Sequence, residues 1–284
     1  MSEQANGTSH LEGRVVAITG AGGGFGELIA GLAAGRGARV VVADIDADGA
    51  ARVAKAIQEQ GGEAEAVAVD VRDLASMQAM VGRAVERFGG VDVLVNNAGI
   101  MPLAFLADHA QAYDAWERCI DINFKGVLNG ICAVHDQMIE QGRGHIVNIS
   151  SIYANAGTAG SGVYSATKAA VAVLSDSLRV ESQGKIKVTI VRPTGVLGTG
   201  LASGVVNPAA SIGITGQNAA QYMDRVMAFL SGSLDEPLAD VDTTAYWAIT
   251  PDVVAREVVH AIDQPWGVSI GDVTIRAAGE DYVL

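Results

Sequence analysis

Seven short apolar runs, each parted from the next by a longer stretch, constrain the fold of this chain more than any other feature. RVVAIT (14–19), RVVVAD (39–44), AEAVAVDV (64–71), VDVLVNN (91–97), HIVNIS (145–150), KVTIVRP (187–193) and DVTIRA (272–277) read as strands. Helical patterns lie between them near 25–36, 47–60, 74–88, 112–141, 162–183 and 251–263. Gly37 is placed to stop the first of these, and Thr250 with Pro251 to start the last. Strands this apolar need cover on both faces, and helical connections make their neighbours parallel. The expected architecture is a doubly wound, mainly parallel α/β sheet in three αβα layers, forming a single domain from 13 to 284.

The rest of the chain narrows the function. Aromatic residues are only 5% of the 284, so the core must be built from Ala, Val, Ile and Leu. The net charge is -13 and no Lys/Arg run occurs, which argues against nucleic acid and anionic membrane as partners. No apolar stretch approaches the ~18 residues of a membrane span, and MSEQANGTSH lacks the basic and apolar regions of a signal peptide, so a cytoplasmic protein is expected. Residues 1–12 read as a flexible extension. Cys119 and Cys132 suit neither a disulfide framework nor a metal site and read as small buried residues. The five histidines show no paired spacing, so no metal is expected. The stretch from about 195 to 249 breaks the strand–helix rhythm and reads as a substrate lid, with one amphipathic piece near 217–231.

TGAGGGFG (19–26) follows the first strand and opens the first helix, the context in which a glycine-rich turn is informative. Gly20, Gly24 and Gly26 permit close approach of a pyrophosphate, and the helix start supplies free N–H groups. Asp44 ends the second strand eighteen residues beyond Gly26, where a carboxylate can accept hydrogen bonds from an adenosine ribose and repel a 2'-phosphate. With no Arg or Lys in the turn and Ile45 after Asp44, NAD is expected over NADP; Asp46 is the substitute should Asp44 only end its strand. Asp70 and Val71 end the third strand on the same carboxyl edge.

Tyr164 and Lys168 stand four apart in a helical stretch, so they share a face. A cation about 4 Å from a phenolate at an effective dielectric near 20 is worth about 4 kcal/mol, enough to bring the phenol toward neutral pH. Ser151, just past the fifth strand, can reach the same crevice and hydrogen-bond a substrate oxygen, whereas Ser150 is disfavoured by spacing. Asn123, within the long helix, could hold a water or fix Lys168.

With these motifs in this order, the chain resembles the short-chain dehydrogenase/reductase family over nearly all of residues 13–278. TGAGGGFG looks like that family's cofactor turn, NNAG (96–99) like its fourth-strand motif, and Ser151 with Tyr164-x-x-x-Lys168 like its catalytic set, completed by Asn123. The resemblance implies a Rossmann-type fold that binds a nicotinamide dinucleotide and assembles as a homotetramer. It implies that Tyr164 is the acid or base, that Lys168 lowers its pKa and binds the nicotinamide ribose, that Ser151 orients the carbonyl or alcohol, and that Asn123 supports a proton-relay water. It further implies cofactor contacts from Phe25, Ile45, Asn97, Ala98, Gly99, Pro193, Gly195 and Val196. After the sixth strand the chain reads Pro193-Thr194-Gly195, where the family often has Pro-Gly.

Between Gly195 and Thr250 the only basic residue is Arg225, against five acidic ones, which gives a phosphate or CoA substrate nothing to hold. Met101, Leu103, Phe105, Met223, Met227, Phe229, Tyr246 and Trp247 could supply an apolar pocket wall. The expected reaction is NAD-dependent interconversion of a neutral, mainly hydrophobic secondary alcohol and its ketone. Two other readings are a catalytically inactive dinucleotide-binding sensor or scaffold and an NAD-assisted epimerase or dehydratase.

Overall fold

The strand ladder of the computed structural model, which describes residues 9–284, is parallel throughout. In chain order the main elements are β1 (Val15–Thr19), α1 (Gly24–Ala34), β2 (Arg39–Asp44), α2 (Ala47–Glu59), β3 (Glu63–Ala68), α3 (Leu74–Phe88) and β4 (Val93–Asn96). There follow α4 (His109–Ile120), a π-helical turn (Asp121–Lys125), α5 (Gly126–Glu140), β5 (Gly144–Ile149), α6 (Gly162–Glu181) and β6 (Ile186–Pro193). The chain ends with α7 (Ala219–Leu230), the single turn α8 (Glu236–Ala239), α9 (Pro251–Ile262) and β7 (Asp272–Ile275). The sheet order is β3-β2-β1-β4-β5-β6-β7.

Alternation along each strand feeds two cores. Val16 and Ile18 of β1 join Ile29 and Ala33 of α1 and Val254 and Val258 of α9 on one face. Val15 and Ala17 join Met77 and Met80 of α3, Met138 of α5 and Val171 of α6 on the other. Each fully buried Val, Ile or Met side chain contributes about 1.5–3 kcal/mol, and both faces of the sheet are thereby covered. Order reverses between β1 and β4, so their carboxyl ends diverge and open the crevice in which doubly wound sheets bind ligands.

Four expectations need correction. The third strand stops at Ala68, not at residue 71, because its ladder partner β2 ends at Asp44, opposite Ala68; Asp70 and Val71 therefore lie in the following turn. The long helix is not continuous α-helix, since five residues around Asn123 wind as a π turn. Residues 9–12, expected to be part of a flexible extension, are anchored: Leu11 is fully buried, and the Asp263 carboxylate accepts from the Ser9 hydroxyl (3.2 Å) and the His10 N–H (2.6 Å). Residues 1–8 of that extension lie outside the described residues. Of the two cysteines, Cys119 is buried as expected but Cys132 is exposed on α5. Among the described residues no helix is long and apolar enough to cross a membrane, and no cluster of His, Cys, Asp and Glu could hold a metal.

Candidate active site

The glycine-rich turn is held from below. The Asn97 side-chain amide donates to the carbonyl oxygens of Thr19 (2.9 Å) and Gly20 (3.0 Å), while Thr19 Oγ1 accepts from the N–H groups of Asn97 (3.1 Å) and Ala98 (3.2 Å). Gly26 is the packing glycine: a Cβ there would lie 2.3 Å from the Gly20 carbonyl oxygen and 2.8 Å from the Ala21 Cα. Gly20 and Gly24 have φ of 65° and 54°, which only glycine adopts without strain. No side chain caps α1, and its first residues Gly24 and Phe25 line the cleft, an arrangement suited to a pyrophosphate.

Asp44 and Asp46 are bonded differently. The Asp44 carboxylate accepts from the N–H of Gly22 (2.8 Å) and of Asp46 (2.9 Å) and lines the cleft, whereas the Asp46 side chain caps α2 through the Gly49 N–H. Sequence reading saw no cation near this turn, but the fold brings one there. Arg52 of α2 donates to the Gly22 carbonyl oxygen (2.9 Å) and is clamped by both carboxylate oxygens of Glu27 (2.6 and 2.8 Å). Arg72 likewise grips Asp70 through both carboxylate oxygens, and that hydrogen bonding holds the Asp70 carboxyl below its ordinary range.

A cleft of about 960 Å³ runs along the carboxyl edge of the sheet, large enough for a dinucleotide's reactive half together with a small substrate. Gly20, Gly24, Phe25, Asp44 and Ile45 line it at one end, followed by Asp70, Val71, Asn97, Ala98 and Gly99. Ser151, Tyr164 and Lys168 line it from β5 and α6, and Pro193, Gly195 and Val196 from the end of β6. Two expected residues do not reach its surface. Gly26 lies beneath the turn, and Asn123 is fully buried behind the wall.

Asn123 is spent on structure there: its Oδ1 accepts from the Ile100 N–H (2.9 Å), and its Nδ2 donates to the Ile100 carbonyl oxygen (2.8 Å) and to Cys119 Sγ (3.3 Å). The π turn is what points it inward, at the loop after β4. Its Oδ1 and Lys168 Nζ both come within 3.5 Å of a Cβ built on Gly99, so the two groups flank one point of the backbone. Ser150 and Ser151 both line the cleft but are bonded differently. The Ser150 hydroxyl donates to the Lys168 carbonyl oxygen (2.9 Å), whereas Ser151 Oγ accepts only a long bond from the Tyr153 N–H (3.3 Å) and lies next to the Tyr164 phenol.

The electrostatics differ from the simplest expectation. Lys168 Nζ donates to the Ile149 carbonyl oxygen (2.8 Å) and sits 5.8 Å from the centroid of the Tyr164 ring. Both residues are about 95% buried. Burial pushes the Tyr164 phenol above its usual value, the Ser151 hydroxyl opposes that shift, and Cys119 adds to it. Burial likewise pushes Lys168 down to about 8, opposed by Cys119. Burial thus disfavours charge on both groups, which the i, i+4 spacing alone does not reveal.

Sequence reading missed several wall residues. Ile100, Ile122, Arg118, Leu197, Leu201 and Val205 line the cleft, as do Tyr153, Tyr222, Val226 and Tyr282. Of the apolar residues nominated from sequence, Met101, Leu103 and Met223 line it. Phe105 packs beside Leu103, Tyr246 and Trp247 are buried away from it, and Met227 and Phe229 face outward. The tail residue Tyr282 sets its hydroxyl oxygen 2.5 Å from where a Cβ on Gly195 would fall.

Fold and cleft together define a doubly wound oxidoreductase built around a dinucleotide crevice. The family model for short chain dehydrogenases matches residues 14–208, and this chain belongs to that family. It is 34% identical to an uncharacterized oxidoreductase of Listeria innocua, over 93% of this chain and 96% of that one. Among solved structures, a 7 alpha-hydroxysteroid dehydrogenase complexed with NADH and 7-oxo glycochenodeoxycholic acid superposes with a TM-score of 0.75 at 27% identity, covering 95% of this chain and 94% of that one. A gluconate 5-dehydrogenase from Burkholderia cenocepacia, in complex with NADP and tartrate, gives 0.74 at 26% identity, covering 95% and 96%.

Proposed function

We propose that the protein is an NAD-dependent oxidoreductase that interconverts a hydrophobic secondary alcohol and its ketone, with Tyr164 as the proton-transferring acid or base. The observation that carries this reading is the convergence of Ser151, Tyr164 and Lys168 on one cleft whose far end is walled by Leu201, Val205, Met223 and Val226. The uncapped α1 N-terminus, the glycine cradle and the Asp44 carboxylate fit a dinucleotide, and the carboxylate favours one without a 2'-phosphate. When bound, the nicotinamide supplies or accepts the hydride.

The chain's own residues then divide the work. The Ser151 hydroxyl orients the carbonyl oxygen and stabilises its developing charge. Tyr164, whose phenol burial favours in the protonated form, gives that oxygen its proton in ketone reduction and takes it back in alcohol oxidation. Lys168 is fixed by the Ile149 carbonyl and adds positive charge beside the reacting centre, and Asn123 fixes the Ile100 backbone next to it. The segment 195–249 acts as the substrate lid. Exposed Tyr113 and Ile120 on α4, Leu128 on α5 and Val173 and Val180 on α6 support a homo-oligomer, a tetramer by family resemblance.

A second reading, in which the substrate also carries a carboxylate, is favoured by Arg118, which lines the cleft and makes no ion pair among the described residues. A panel of ketones and alcohols, each neutral compound matched with an acid, run with NADH and NADPH in parallel, separates the two. Tyr164→Phe is expected to lower turnover by about 10²- to 10⁴-fold while NADH still binds. Turnover retained by that variant overturns the role assigned to Tyr164, and epimer or dehydration product formed without net NADH change overturns the reaction.

A further inference from the structure

The C-terminal segment Gly279–Leu284 returns across the molecule and threads the 195–249 region. The Gly279 N–H donates to the Tyr246 carbonyl oxygen (2.9 Å) and the Val283 N–H to the Ile214 carbonyl oxygen (3.0 Å). Between them Asp281, 4% exposed, accepts from Arg225 Nη1 of α7 (2.8 Å) on one carboxylate oxygen and from Trp247 Nε1 (2.7 Å) on the other. The Asn218 side chain donates to the Asp281 carbonyl oxygen (2.9 Å). Arg225 is the sole basic residue of the 195–249 region, and this is where it is used.

The next residue faces the cleft. The Tyr282 ring lies 5.9 Å from that of Tyr222, packs against the cluster that contains Leu103, Tyr153 and Tyr164, and sets its hydroxyl against Gly195. That contact gives Gly195 a reason to be glycine and accounts for the chain's Pro-Thr-Gly after β6. No helix or strand holds α7 as directly: α7 itself contains no fully buried residue. A helix with so little burial of its own is positioned by its few polar anchors, of which a desolvated arginine–carboxylate pair is the most demanding.

We infer that the C-terminal tail is a built-in wall and latch of the substrate pocket: Tyr282 sets the size of substrate admitted beside Tyr164, and Asp281 is the positioning residue that holds α7 over the cleft through Arg225 and Trp247. The inference rests on the proposed reading of the cleft as a ketone site, and its tests separate the two. Hydrogen–deuterium exchange on the NADH complex reads the latch without turnover. Asp281→Asn removes the charge that Arg225 faces, and α7 amides are expected to exchange at least tenfold faster with those of α1 unchanged. Equal exchange of α7 in variant and wild type overturns the latch.

The wall is read with a small ketone, cyclohexanone, and a bulky one, a decalone. Tyr282→Ala is expected to raise the bulky-to-small ratio of kcat/KM at least tenfold, through KM, with NADH affinity unchanged within twofold. Retained NADH affinity shows that the variant is folded, and an unchanged ratio then overturns the wall. Wild-type protein that reduces neither these nor any ketone of the panel refutes the proposed reaction instead, and the exchange experiment still decides the latch.

Discussion

Replacing Lys168 with methionine should make the protein more stable and less competent at once. The ammonium is 5% exposed, and burial holds its pKa at about 8 against an ordinary 10.5. That difference corresponds to about 3 kcal/mol spent, at pH 7, on keeping a charge in a dry site. Methionine, of similar length, removes the charge but loses the 2.8 Å hydrogen bond to the Ile149 carbonyl oxygen, a charge-assisted bond worth about 1.5–3 kcal/mol. The net gain is about 1 kcal/mol at pH 7. With an unfolding entropy of about 2.1 cal/mol/K per residue over 284 residues, that is a rise in Tm of about 2 °C.

The pH dependence is the sharper signature. Lys168 has a depressed folded pKa, so between pH 8 and 10.5 the unfolded chain binds the extra proton and wild-type stability rises with pH. The methionine variant lacks that rise, so its advantage should be complete below pH 8 and reverse by pH 10.5. Thermal unfolding followed by circular dichroism at pH 7 and pH 10.5 measures it. A variant less stable than wild type at pH 7 by 2 kcal/mol or more, with no change in the gap at pH 10.5, would refute the burial argument.

Other perturbations test the cofactor end. Gly26→Ala sets a methyl 2.3 Å from the Gly20 carbonyl oxygen, and overpacking against backbone should cost about 1–3 kcal/mol and weaken NADH binding; a melting temperature and dissociation constant equal to wild type would sink the packing claim. Asp44→Asn keeps one acceptor for the Gly22 N–H but removes the charge. A like charge about 5 Å from a phosphate at a dielectric near 20 costs about 3 kcal/mol, so the preference for NAD over NADP should shrink at least tenfold in paired titrations, and an unchanged ratio would return selectivity to another group. Arg52 is the natural alternative, and Glu27→Gln, which unclamps it, should strengthen NADP binding further in the Asp44→Asn background; no added gain there leaves Arg52 without a part in selectivity.

What could be read from sequence was what is local. The strand runs, the turn of Gly20, Gly24 and Gly26, and the order of Ser151, Tyr164 and Lys168 each rest on spacing within one element or two adjacent ones. Asp44 was legible because a strand end fixes its position along the carboxyl edge. Burial is not local: the proximity of Tyr164 and Lys168 along a helix is visible in YSATK, the loss of water around them is not. Arg118 and Tyr282 reach the cleft, Arg52 reaches the glycine turn and Asp281 reaches α7 only through tertiary packing, and no periodicity announces them. The end of β3 at Ala68 depended on where its neighbour stopped, again a property of the pair.

The π turn at Asp121–Lys125 has a consequence for the two helices it joins. An α-helix advances 100° per residue, so one extra residue in the turn sets α4 and α5 about a quarter-revolution out of phase. Trp116 and Cys119 can therefore pack beside the cleft while Val134 and Met138 face the sheet, although a single apolar stripe could not serve both. Deleting one residue there would restore a common phase and swing either the amide of Asn123 or the sheet-facing stripe out of register, so the segment tolerates substitution far better than a change of length.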